Sequence, residues 1–182
     1  KNYEKRQGQR EVSENIFDAF QSKQHALIEA ETGTGKTLAY LIPAIYEAVR
    51  TEERIVVSTY TTQLQAQLLE EEIPLIQKLV SFPFKVALLK GKHHYISLER
   101  FERELASEQE DNYDIALTKA MIIVWLTETE TGDIDEIHLP SSGYSFYKGI
   151  SSEAEGYIDP RSPWFTSSYY QKARMKAQQA DV

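Results

Sequence analysis

Apolar residues along the chain switch between two spacings. Val12, Ile16, Phe17 and Phe20 recur at steps of three and four, which predicts an amphipathic helix after Gln9. The short run His25–Ala30 enters a glycine-rich turn and reads as a strand. Leu38, Leu41, Ile42, Ile45 and Val49 return to the helical spacing and predict a second helix, bent at Pro43. Ile55–Ser58 is a compact β-branched run and reads as a buried strand. Leu64, Leu68 and Leu69 mark a further helix, ended near Pro74, and Phe84–Leu89 reads as a third strand. Strand and helix alternating at this pitch predict an α/β fold with a parallel sheet.

Past Lys90 the β-branched runs stop. Ile96, Phe101 and Leu105 suggest one helix, Leu117, Met121, Val124 and Trp125 another, and Tyr170, Ala173, Ala177 and Ala180 a last one. Residues 128–167 are polar and read as irregular. Residues 91–175 are therefore expected to form a mainly helical insertion.

Composition narrows the class. The longest apolar run, Ala120–Leu126, is far too short to cross a bilayer, and no basic segment leading into an apolar stretch opens the chain. Cysteine is absent from the 182 residues, which removes disulfides and thiolate metal sites and fits a cytoplasmic location with no membrane partner. The net charge is −8, but residues 99–136 hold twelve acids against three bases, a balance of −9, so the remainder is close to neutral. Basic clusters such as Lys85, Lys90 and Lys92 lie outside that stretch. The acidic run reads as a solvated face.

Candidate chemistry centres on Ala30-Glu31-Thr32-Gly33-Thr34-Gly35-Lys36-Thr37, which fits the phosphate-binding P-loop (Walker A) pattern. Glycines let backbone N–H groups approach phosphate oxygens, and the following helix adds its positive dipole end. Lys36 suits the β- and γ-phosphates, and the Thr37 hydroxyl suits Mg²⁺, so ATP and Mg²⁺ are the expected cofactors.

The string A-E-T-G-T-G-K-T resembles motif I of superfamily 2 helicases. Tyr3-Glu4-Lys5-Arg6-Gln7-Gly8-Gln9 resembles the adenine-reading segment ahead of it, with Gln9 at the glutamine position. Ser58-Thr59-Tyr60-Thr61-Thr62-Gln63-Leu64-Gln65 resembles motif Ia of the DinG branch of XPD-like helicases, as does the segment Lys90-Gly91-Lys92-His93-His94-Tyr95 that follows. The resemblance implies a RecA-like ATPase core holding a partial parallel sheet, with a helical insertion in place of the family's iron–sulfur domain. Residues 1–90 would be the first part of ATPase domain 1, 91–175 the insertion, and 176–182 the return. Arg6, Gln9 and Thr32 through Thr37 would bind ATP, with Lys36 and Thr37 taking part in catalysis. Thr59, Thr62, Gln65, Lys92 and Tyr95 would meet single-stranded DNA or DNA junctions. Thr59 and Thr62 also suit plain helix capping.

Two departures from the family stand out. Its four cluster cysteines align with Ser97, Tyr157, Ser162 and Ser168, none of which holds an iron–sulfur cluster in the usual way. His93 and His94 are a candidate metal pair, but no carboxylate spacing completes a site, and a solvated or DNA-facing pair is preferred. Asp135-Glu136-Ile137-His138 resembles a DEAH box but lacks the apolar strand before it and reads as a decoy. The true box is expected beyond Val182, with the remaining motor domains, so this piece alone is expected to be inactive. Tyr144, Phe146, Tyr147, Trp164, Phe165, Tyr169 and Tyr170, interleaved with Lys148, Arg161 and Lys172, suit either stacking on bases or packing of a small core. The resemblance implies the ATP-binding part of a DNA helicase or translocase acting on single-stranded DNA; the alternative is a DNA-stimulated ATPase module serving an attached 3'-5' exonuclease, and motif Ia and the insertion argue against a P-loop kinase or small-molecule ATPase.

Overall fold

In a computed structural model the first helical period becomes α1 (Gln7–Ser22), closed by Lys23 in the left-handed conformation with its N–H on the carbonyls of Ala19 and Phe20. Residues 6–31, 33–107, 111–156 and 158–182 are described. The chain divides into two units, Lys1–Val86 with Gln179–Val182, and Ala87–Gln178.

In the first unit α1 packs against α2 (Lys36–Thr51). Leu41 and Ile45 of α2 meet Ile73, Ile76 and Phe84 in an apolar cluster. Pro43 lies inside α2 and is buried. The expected helix end at Pro74 is not there. α3 (Thr62–Gln67), a π turn (Leu68–Glu72) and α4 (Ile73–Leu79) run on from one another. Ile73 N–H bonds to the carbonyl of Leu68, five residues back. Pro74 has no N–H to give to the preceding turn, and the wider π turn just before it carries the helix past that gap.

The expected α/β fold with a RecA-like parallel sheet is wrong for this structure: the described residues contain no strand and no sheet. Residues 25–30, 55–58 and 84–89 run without helix or strand assignment. Leu27 and Val56 are solvent-exposed. Lateral backbone hydrogen bonds join Ile55 N–H to the Asp181 carbonyl (2.9 Å) and Asp181 N–H to the Lys85 carbonyl (2.9 Å). A β-branched run supplies preference for extended backbone, but a sheet needs neighbouring strands paired along their length. The isolated bonds at Ile55, Lys85 and Asp181 do not amount to that.

The second unit is helical. α5 (Leu98–Leu105), α6 (Tyr113–Leu126) and α7 (Ser141–Ile150) surround a core of Ile96, Phe101, Ile122, Trp125, Ile134, Leu139, Tyr147 and Ile150. The segment 95–97 is pinned by backbone bonds from Ile96 to Gly132, from Ser97 to Ile150, and from Ser152 to Tyr95. The stretch 128–167, expected to be irregular, holds a 3₁₀ turn (Ile134–Glu136), α7 and α8 (Pro163–Ser167), with α9 (Tyr169–Gln178) following. Gly143 explains part of this: a Cβ there would stand 2.7 Å from Thr118 Oγ1, so the glycine lets α7 approach α6. Among the described residues no helix is long and apolar enough to cross a membrane.

Candidate functional site

α2 begins at Lys36 because Gly33 (φ 82°) and Gly35 (φ 76°) turn the chain through the left-handed region. No side chain caps this helix start, so its first N–H groups and dipole end are left for a ligand. Lys36 is exposed, with Nζ donating to the Ala30 carbonyl (2.7 Å) across the turn. Thr34 Oγ1 donates to the Glu31 carbonyl (2.8 Å) and holds the loop closed. Thr37 sits half-buried in the first turn of α2. Thr32 lies outside the described residues, as do Tyr3, Glu4 and Lys5 of the expected adenine-reading segment.

Arg6 and Gln9 brace this loop from α1 and the residue before it. Arg6 Nη1 donates to the Gly33 carbonyl (3.1 Å), and Gln9 Nε2 to the Gly35 carbonyl (3.0 Å). The φ of 76° favours glycine at 35, and a Cβ there would stand 2.3 Å from Gln9 Nε2, so the Gln9 amide would have to leave its bond to the loop. The donors gathered here, backbone N–H groups, an ammonium and a hydroxyl, suit a polyphosphate with a divalent cation.

The candidate DNA contacts fare unequally. Thr61, rather than Thr59 or Thr62, caps α3, accepting from Leu64 N–H (3.2 Å). Thr59 Oγ1 donates to the Thr61 carbonyl (3.4 Å), and Thr62 is exposed. The Gln65 Oε1 atom is buried with no hydrogen-bond partner. Lys92 is exposed, its Nζ 5.3 Å from the Tyr170 ring centroid. Tyr95, by contrast, is a core residue at 3% exposure, and its hydroxyl accepts from Lys90 N–H (3.0 Å). Its ring stands 5.7 Å from Tyr170.

Sequence reasoning missed a buried ionic knot in the second unit. Lys90 Nζ lies on the carboxylates of Asp133 and Asp135, the second at 2.8 Å. Burial opposes the Lys90 charge, but the hydrogen bonds to Asp133 and Asp135 outweigh it and raise its pKa. His94 Nδ1 stands 3.4 Å from Asp135 and 3.7 Å from Asp133 without a hydrogen bond. Burial, the largest effect, lowers the His94 pKa in spite of those carboxylates, whose charge Lys90 already offsets. Ligand atoms of His94, Asp133 and Asp135 lie within 4.8 Å of one another, so the carboxylates absent from local spacing arrive from the 3₁₀ turn. The ammonium of Lys90 stands where a cation would balance them.

Glu136, in the DEAH-like string, is committed internally. Burial pushes its pKa up, but hydrogen bonds from Thr129, Thr131 and Trp125 together bring it below the usual value.

Comparison with known families matches residues 6–147 to the DEAD/DEAH box helicases. The chain belongs to this family. It is a cysteine-free, DinG-type member. It is 43% identical over 180 residues to a Bacillus subtilis protein named 3'-5' exonuclease DinG, covering 99% of this chain and 19% of the relative. Proteins of the same name from Staphylococcus epidermidis and Staphylococcus saprophyticus are 34% and 35% identical, over 94% and 83% of this chain and 18% and 16% of their own lengths. The chain thus spans about a fifth or less of the length of these relatives.

Of the four positions that the family resemblance sets against cluster cysteines, Ser97, Ser162 and Ser168 are described. Ser97 accepts from Arg100 N–H and caps α5, while its hydroxyl donates to Glu155. Ser162 accepts from Trp164 N–H and caps α8. Ser168 Oγ accepts from Gln171 N–H at the start of α9 (3.4 Å). Three described positions therefore cap three helices, a use for serine oxygen that the alignment alone did not suggest. Tyr157 lies outside the described residues.

Proposed function

We propose that this chain is the nucleotide-binding part of a DNA-dependent ATPase, the ATP phosphates lying on the loop Ala30–Thr37 and the uncapped start of α2. The observation that carries this reading is the pair of left-handed glycines delivering Lys36 and Thr37 to an open helix N-terminus. Lys36 would leave the Ala30 carbonyl to pair with the β- and γ-phosphates, and Thr37 would ligate the Mg²⁺ that neutralises them. Arg6 and Gln9, now on the loop carbonyls, would report occupancy by exchanging those bonds for the adenine. Residues 1–90 and 176–182 would then serve the nucleotide, and 91–175 would be the cluster-free insertion. Single-stranded DNA would pass Thr59, Thr62, Gln65 and Lys92. Hydrolysis and any strand displacement belong to the longer polypeptide, where the DEAH acid and a second motor domain complete the site.

A second reading rests on the relatives' shared name, 3'-5' exonuclease DinG. Here the ATPase governs an attached exonuclease and does not unwind. The full-length polypeptide distinguishes the two. DNA-stimulated ATP hydrolysis with displacement of a labelled strand supports the motor reading. Stimulated hydrolysis that changes exonuclease rate, without displacement, supports the second. Hydrolysis indifferent to DNA refutes both.

A further inference from the structure

α6 packs Ile122 and Trp125 inward and still carries apolar residues on its outer face. Its fourteen residues include two charged ones, Asp114 and Lys119. A solvent-facing helix normally turns its charges outward and its branched apolar residues inward. Here Lys119 is buried at 8% exposure, its Nζ donating to the Glu104 carbonyl (3.0 Å) and to Asp111 (2.9 Å). Tyr113, Leu117, Ile123 and Val124 face out, with Val124 at 66% exposure. With the exposed Ala116 and Ala120 they form one stripe at steps of three and four along the helix. Beside Val124 an open depression is lined by Ala120, Met121, Trp125 and Ile137. An apolar stripe this continuous marks an interaction surface.

Charge says what covers it. Asp114 is exposed at the first turn, one carboxylate oxygen accepting from Ser142 Oγ of α7 (3.3 Å), and Glu128 and Glu130 are exposed just past the last. The stripe, about 17 Å from Tyr113 to Val124 at the rise of an α-helix, therefore has acids near both ends. Nucleic acid is repelled by such a frame. A second copy of α6 would bring acid against acid in either direction. We propose that the outer face of α6 docks a helix of a partner protein, apolar on one side and carrying Lys or Arg at both ends. Its apolar residues fill the depression beside Trp125, and its basic ends meet Asp114 and the Glu128–Glu130 pair.

The test uses the 182-residue chain and two synthetic helical peptides with the same apolar stripe, one ended by lysines, the other by glutamates. Tryptophan fluorescence, read in a Trp164→Phe background so that Trp125 alone reports, and calorimetry follow binding. The lysine-ended peptide binds, its affinity falls with added salt, and Val124→Glu weakens it by about tenfold or more, because it puts a charge at the rim of the apolar depression. Ile123→Gln is the milder second variant, expected to weaken binding in the same direction. Leu27→Glu, exposed in the other unit, leaves it unchanged, and circular dichroism checks that each variant keeps its helices. Equal binding of the glutamate-ended peptide, binding indifferent to Val124→Glu, or no binding of either peptide overturns the proposal. So does self-association of the chain that Val124→Glu abolishes, which assigns the face to a second copy.

Discussion

Replacing Lys90 by Met keeps the aliphatic stem and removes the charge from a pair of carboxylates. The Lys90 side chain is 9% exposed and that of Asp133 is 11%, so Asp133 is left as a buried carboxylate without its cation. Breaking a buried pair from one side costs about 3–5 kcal/mol. Asp133 keeps a hydrogen bond from Asp135 N–H (3.1 Å), and His94 stands close enough to take up a proton, which places the loss near the lower end. Asp135 is 43% exposed, and its share of the ion pair is worth about 0–1 kcal/mol after solvent screening. Lys90→Met should therefore destabilise the second unit by about 3 kcal/mol, lowering its melting temperature by about 12–24 °C. Asp135→Asn should cost about 1 kcal/mol or less. Asp133→Asn added to Lys90→Met should recover most of the loss, because the amide oxygen still accepts from Asp135 N–H and no charge is stranded. Urea and thermal melts followed through Trp125, a core residue of that unit, measure all three. A loss under about 1 kcal/mol for Lys90→Met, or an equal loss for Asp135→Asn, would refute the buried-pair reasoning.

His94 gives a pH dependence. Its pKa is lowered in the fold from 6.5, so the unfolded chain takes up a proton first as pH falls. Stability from this group is present above pH 6.5 and declines below it, with Asp133, Asp135, Lys90 and His93 all acting on the ring. Urea midpoints taken from pH 7.5 down to about 5, above the ordinary carboxylate range, should fall in the wild type and flatten in His94→Gln; an unchanged slope counts against it. Gly35→Ala faces both a φ of 76° and the Gln9 amide, and should cost about 1–3 kcal/mol with loss of nucleotide binding. Gly33→Ala has open space around its Cβ and should cost less, so a reversed order in thermal melts would reject the Gln9 brace.

Much of the helical framework was legible because period is a local property. Val12 to Phe20 marks α1 and Leu38 to Val49 marks α2, each on a face that packs in the first unit. The glycine turn before α2 was legible for the same reason, since glycine placement is read along the chain. Sheet formation depends on lateral partners, which Ile55–Ser58 and Phe84–Leu89 cannot report from their own residue types. Lys90 looked like part of a surface basic cluster with Lys92, yet its partners Asp133 and Asp135 arrive from a distant turn. The family resemblance puts Tyr95 on DNA, but the strap through Gly132, Ile150 and Ser152 buries it. The polar residues of 141–150 hid α7, because Gly143 serves close approach to α6 and does not end the helix.

The central claim is that Ala30–Thr37 holds ATP phosphates, and equilibrium binding of a fluorescent ATP analogue to the wild-type chain and to Lys36→Ala tests it most directly. The account predicts Mg²⁺-dependent binding to the wild type and a loss of about 2 kcal/mol or more in the variant, the scale of a hydrogen bond to a charged group. Equal affinity in both, with the helical signal of each intact, would contradict it.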